Sequence, residues 1–103
     1  MKIVGICACT SGIAHTYIAK EKLVNAAKAL GHTIHIETQG TVGTEDQLSE
    51  QDIKEADVVI LAVDIAITGK ERFAGKKMVT VPTGLVVKAP KQLLEKIALE
   101  LNK

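Results

Sequence analysis

Two cysteines, Cys7 and Cys9, stand one residue apart near the start of the sequence. Cys7 closes an apolar run, Ile3-Val4-Gly5-Ile6-Cys7, that reads as a buried strand. A cysteine in such a run behaves as a small buried hydrophobe. Cys9 comes just after the strand. Thr10, Ser11 and Gly12, small residues that can turn tightly, separate it from a helical pattern. Free backbone N–H groups at a helix start would point back around the Cys9 sulfur. With the helix dipole they would stabilise an anion there. Such a setting lowers a thiol pKa and yields a nucleophilic thiolate near neutral pH. A phosphoryl group on that sulfur would have its oxygens held by the same donors. The chemistry expected of Cys9 is therefore that of a phosphocysteine.

Other chemistries can be built from the same residues. A cysteine phosphatase places an arginine six positions after the cysteine, followed by Ser or Thr. Here that position is His15, followed by Thr16. Histidine cannot copy the planar, bidentate grip of arginine on phosphate. The single arginine, Arg72, lies far along the chain, and no Asp-Pro pair supplies an acid loop. A metal site built from Cys7, Cys9 and His15 has too few ligands at unusual spacing. A redox pair has two residues between its cysteines, not one. A non-catalytic domain that senses phosphorylation is a further reading, to be separated by assay. Around the loop, Glu37 and Asp64 read as solvated or capping acids near the rim, or else as carboxylates that repel a dianionic phosphate and raise its transfer tendency. Arg72 reads as pairing with a neighbour such as Glu71, or as reaching toward a partner's acidic surface. His32 and His35 read as surface or sheet residues.

The elements that must position these groups follow a simple alternation. From Gly12 to Leu30 the residues Ile13, Tyr17, Ile18, Leu23, Ala26, Ala27 and Leu30 make one apolar face at helical spacing. Gly31 is a natural stop. Thr33-Ile34-His35-Ile36-Glu37-Thr38 alternates as a second strand. Residues 39–44 read as a Gly/Thr loop. Ser49 with Asp52 predicts a capped helix through Ala56. Val58-Val59-Ile60-Leu61-Ala62-Val63 is a continuous apolar run, as in a strand covered on both faces. A short helix is expected from Lys70 to Gly75, a fourth strand at Met78-Val79-Thr80-Val81, and a helix from Pro90 through Leu101. Strands alternating with helices give a parallel sheet with helices on both faces. Ligands of such sheets sit beyond the carboxyl ends of the strands. That directs attention to the loops after Cys7, Thr38, Val63 and Val81.

Composition bounds the function. The sequence has 103 residues, a net charge of +1, 47% hydrophobic and 2% aromatic residues. One domain spanning 1–103 is expected at this length. The hydrophobic content argues against disorder. With no basic excess and only Tyr17 and Phe73 as aromatics, no nucleic acid is expected as a partner. No apolar run approaches the ~20 residues of a membrane span, so no direct membrane insertion is expected. The start, Met1-Lys2-Ile3-Val4, does not read as a signal peptide. The cytoplasm is the expected compartment.

The stretch Cys9-Thr10-Ser11-Gly12-Ile13-Ala14-His15-Thr16-Tyr17-Ile18-Ala19 closely resembles the phosphorylation loop of the fructose-type enzyme IIB components of the bacterial sugar phosphotransferase system. Further matches follow in order: Glu37-Thr38-Gln39-Gly40 with Gly43, the stretch from Asp52 through Ala62 with Asp64, and Glu71-Arg72-Phe73-Ala74-Gly75-Lys76. The family usually has Pro then Thr after the cysteine, where Thr10 and Ser11 stand here. The resemblance implies a three-layer α/β/α sandwich around a four-stranded parallel sheet, order 2-1-3-4. It implies a phosphocarrier in which Cys9 accepts a phosphoryl group from the phosphohistidine of a IIA domain. A sugar, fructose or a related one, held by a membrane IIC protein, then takes it. Thr10, Ser11, Gly12, Ile13, Ala14, His15 and Thr16 form the phosphate-binding loop in this reading. His15 either serves that loop or bonds a backbone carbonyl and does nothing chemical. Ile13 and Tyr17 are either apolar contacts for the partners or core. No metal and no cofactor is implied.

Overall fold

A computed structural model describes residues 1–8, 13–40 and 43–101, without the side chains of residues 13–15 and 40. β1 (Lys2–Ala8) is the centre of the sheet. Its apolar run is buried from Ile3 to Ala8, as a strand covered on both faces must be. α1 (Ile13–Ala29) follows, and Ala19, Leu23, Ala26 and Ala27 are its buried stripe. The His32 N–H donates to the Ala27 carbonyl at 2.8 Å, closing the helix where Gly31 was expected to stop it. β2 (Thr33–Gly40) then pairs with β1 in parallel, with Ile6 opposite Glu37 and Cys7 opposite Thr38.

Residues 39–44, expected as a loop, depart from that reading. β2 runs on through Gly40, and β3 (Gly43–Glu45) returns beside it antiparallel. Its Gly-Thr-Glu sequence carries no apolar alternation, and the strand is fully exposed at the sheet edge. α2 (Glu50–Glu55) starts at the predicted cap: the Asp52 N–H donates to the Ser49 hydroxyl at 3.0 Å, and a capping box is complete. β4 (Val58–Val63) is the continuous apolar strand and lies on the other side of β1, with Ala8 opposite Val63. A tight 3-10 turn (Lys70–Phe73) takes the place of the short helix expected through Gly75. β5 (Met78–Val81) completes the sheet. α3 (Thr83–Lys88), unexpected, starts directly after Pro82, and α4 (Pro90–Leu101) ends the described chain.

The strand order is β3-β2-β1-β4-β5. The four parallel strands keep the expected 2-1-3-4 arrangement, and β3 is an antiparallel addition at one edge. Two cores cover the faces. Ile3, Cys7, Ile36, Ile60 and Ala62 pack against α1, α3 and α4. Val4, Ile6, Val59 and Leu61 pack against Leu48, Ile53 of α2 and Phe73. The layers are therefore helix, sheet, helix, as expected. Gly5 sits opposite Ile60 of β4, and a Cβ there would lie 2.4 Å from the Ile60 carbonyl oxygen.

Candidate functional site

The carboxyl ends of the four parallel strands form one rim. β1 ends at Ala8 and α1 begins at Ile13. Cys9, Thr10, Ser11 and Gly12 lie outside the described residues, as do the side chains of Ile13, Ala14 and His15. The metal reading, which needs Cys9 and His15, lies there too. Thr16 is described and buried. Cys7 is fully buried in the core beneath α1, as its apolar run predicts.

The flanks of that four-residue connection are well defined. On one side the Asp64 N–H donates to the Ala8 carbonyl at 2.9 Å. The Asp64 carboxylate in turn accepts from the Thr83 N–H at 3.0 Å and from its hydroxyl at 2.5 Å. Asp64 is thus a capping acid, tying the end of β4 to the start of α3. On the other side stands Gln39, one residue beyond the partner of Cys7.

Glu37 is not a solvated acid. It points into the face that holds Ile6 and is fully buried. Arg72 grips it with both ends of its fork, Nη1 to Oε1 at 2.9 Å and Nη2 to Oε2 at 3.0 Å. Gln39 Nε2 and the Leu48 N–H also donate to it. Burial pushes the Glu37 carboxyl up, but these donors outweigh it and hold the group below its ordinary value. The fork also raises the Arg72 pKa. The partner of Arg72 is therefore neither Glu71 nor another protein. Its Nε donates to the Gly69 carbonyl at 2.7 Å, and its guanidinium lies 5.2 Å from the Phe73 ring centre. The one arginine that the phosphatase alternative could have drawn on is thus already paired with a carboxylate. Sequence reasoning missed this pair because 35 positions separate its members.

The outer residues are placed as follows. His35 lies on β2 with Nδ1 2.9 Å from Asp52 and Nε2 3.0 Å from the Asp46 carbonyl. His32 Nδ1 is 3.2 Å from the chain's amino group. Tyr17 is half-buried and donates its hydroxyl to Glu45, which with burial raises the phenol pKa. Lys20 pairs with Asp46, so α1 is tethered twice to the hairpin around β3. Among the described side chains of this helix, the exposed large apolar one is Ile18. Among the described residues, no helix is long and apolar enough to cross a membrane.

Comparison with known proteins gives concordant results. The family described as "PTS system, Lactose/Cellobiose specific IIB subunit" matches residues 4–96. The "PTS system fructose-like EIIB component 2" of Escherichia coli (strain K12) is 47% identical over 100 residues, covering 97% of this chain and 94% of that protein. The "PTS system fructose-specific EIIB'BC component" of Vibrio cholerae is 48% identical over 93 residues, 90% of this chain but 16% of that longer protein. The solution structure of an enzyme IIB subunit from Escherichia coli K12 superposes with a TM-score of 0.92 at 32% identity, covering 98% of this chain and 94% of the other.

Proposed function

This chain belongs to the phosphotransferase-system IIB family, and on that premise we propose that it is a phosphocarrier whose covalent carrier is Cys9. It acts as one IIB domain over residues 1–103, in the cytoplasm. The donor is the phosphohistidine of a IIA domain, and the acceptor is a fructose-type sugar held by a membrane IIC protein. The observation that supports this reading is the position of Cys9 in the sequence, between two described elements. It follows the last residue of the buried central strand and precedes a 17-residue helix by a few positions.

The chemistry is two in-line displacements at phosphorus. The Cys9 thiolate attacks phosphorus, an S–P bond forms, and the P–N bond to the donor imidazole breaks. That imidazole leaves with the bond's electron pair. A sugar hydroxyl then attacks the same phosphorus, the S–P bond breaks, and the thiolate is restored. The hydroxyl proton passes to a base on the acceptor side. Little covalent work falls to the protein, so positioning and charge stabilisation dominate. Residues Thr10, Ser11, Gly12, Ile13, Ala14, His15 and Thr16 supply the phosphate-binding loop. The N-terminal end of α1 adds its dipole to that loop. Arg72, already gripped by Glu37, does not compete for the phosphoryl group.

Intact-mass spectrometry tests the proposal. The protein is incubated with phosphoenolpyruvate, the general relay proteins and a fructose-type IIA domain. Wild type and Cys7→Ser gain one phosphoryl group, and Cys9→Ser gains none. Absence of any gain by folded wild type beside an active IIA, or equal gain by Cys9→Ser, overturns it.

A further inference from the structure

The two edges of the sheet are built differently. β3 is three residues long, contains a glycine and ends on Glu45, which Tyr17 engages. Short, charged edges of this kind resist pairing with another chain. β5, at the other edge, reads Met78-Val79-Thr80-Val81, with no charge and no proline. Among the described residues no strand lies beyond it. Its register with β4 fixes which backbone groups face outward. The Val59 N–H donates to the Lys77 carbonyl at 2.8 Å, so Lys77, Val79 and Val81 turn their backbone to β4. Met78 and Thr80 turn theirs away from it. Beside this edge a groove of about 340 Å³ runs between β5, α3 and α4. Val79, Val81, Leu85 and Leu93 give it an apolar lining, and the exposed Lys96 and Glu100 of α4 border it.

We propose that β5 is an interface for a second copy of this chain, joined antiparallel about a two-fold axis. The occupant follows from self-complementarity, which such a contact requires. With Met78 opposite Thr80 of the second copy, each residue gives its N–H and accepts one at its carbonyl, so the outward groups of both residues are used. Sliding the strands one way would set Met78 opposite Pro82, which has no N–H to give. Sliding them the other way would set Thr80 opposite Lys76, whose N–H is already donated to the Phe73 carbonyl. In the remaining register Val79 meets Val79 of the second copy on the groove side, and Lys77 lies opposite Val81 rather than another lysine. α4 supplies a matching charge pattern. Lys96 and Glu100 stand four residues apart on one helix face, and an antiparallel neighbour sets each against its opposite. A four-residue strand and one groove make an interface at the small end of the range, so the dimer forms only at high concentration.

Sedimentation equilibrium of the full chain, from micromolar to millimolar, tests this. Wild type should pass from monomer to dimer. Thr80→Pro removes an outward N–H and no bond to β4, and an edge strand tolerates proline in that orientation. The bond is lost twice, once in each copy, so the dissociation constant should rise at least about tenfold. Lys96→Glu should raise it about fivefold at low salt, and Lys96→Glu combined with Glu100→Lys should restore it. A monomer at every concentration leaves the edge to a different chain, or to none, and overturns the proposal. A dimer that Thr80→Pro does not weaken has its contact elsewhere and overturns it too. Should Thr80→Pro not fold, the charge variants decide. No loss in Lys96→Glu, or no return in the double variant, then overturns the proposal.

Discussion

At the scale of single residues, Glu37 is the least ordinary group in the described chain. It is a buried carboxylate kept ionised by a guanidinium fork, an amide and a backbone N–H. Removing its charge leaves the half-buried Arg72 without its counter-ion, so Glu37→Gln should lower stability by about 3 kcal/mol at pH 7. The sign of the pH dependence follows from the depressed folded-state pKa. The stabilisation is complete above the unfolded carboxylate value of about 4.3 and is lost as pH falls through the lower folded value. Urea titrations from pH 7 to pH 3 should therefore show the gap between wild type and Glu37→Gln closing toward the acid end. A gap independent of pH would mean that the charge is not what stabilises. No sequence pattern pointed to this pair, because a contact across 35 positions has no local signature. Cys9 is the opposite case: its strand, its small neighbours and its helix are contiguous, so its proposed chemistry could be read from one short stretch.

At the scale of elements, α2 was legible for the same reason. Its Ser49 and Asp52 lie three residues apart and satisfy each other's backbone. Ser49→Ala should cost about 1 kcal/mol, read as a lower urea midpoint at unchanged slope. No change in midpoint would show the cap to be idle. α1 and β4 were legible through their apolar patterns, and α4 through Pro90 in its first turn. β3 was not, because Gly43, Thr44 and Glu45 are exposed and are held by contacts distant in sequence, the pairing with β2 and the Tyr17 bond to Glu45. α3 was not, because a six-residue helix after Pro82 has too few positions to display a period. Its start is fixed instead by Asp64, 19 positions earlier.

At the scale of the whole molecule, everything hangs on β1, and Gly5 marks how tightly. Gly5→Ala would set a methyl group 2.4 Å from the Ile60 carbonyl oxygen and 3.1 Å from Ile36 Cδ1. The first of these is backbone and cannot swing away. A loss of about 2 kcal/mol or more is expected by chemical denaturation, from overpacking and from the spreading of β1 and β4. Wild-type stability in Gly5→Ala would show that the sheet yields there at no cost. The central place of β1 also sets an order of assembly. Met1 meets His32 across 31 positions, but Lys2 meets Asp57 across 55. A chain emerging from the ribosome can therefore complete one side of β1 long before the other. Until β4 has been made, the strand that leads to Cys9 keeps a bare edge, and bare edges are templates for pairing with other chains. The nascent protein thus carries an open strand edge just ahead of the proposed carrier thiol in sequence, and translation speed through residues 58–63 sets how long that edge stays open.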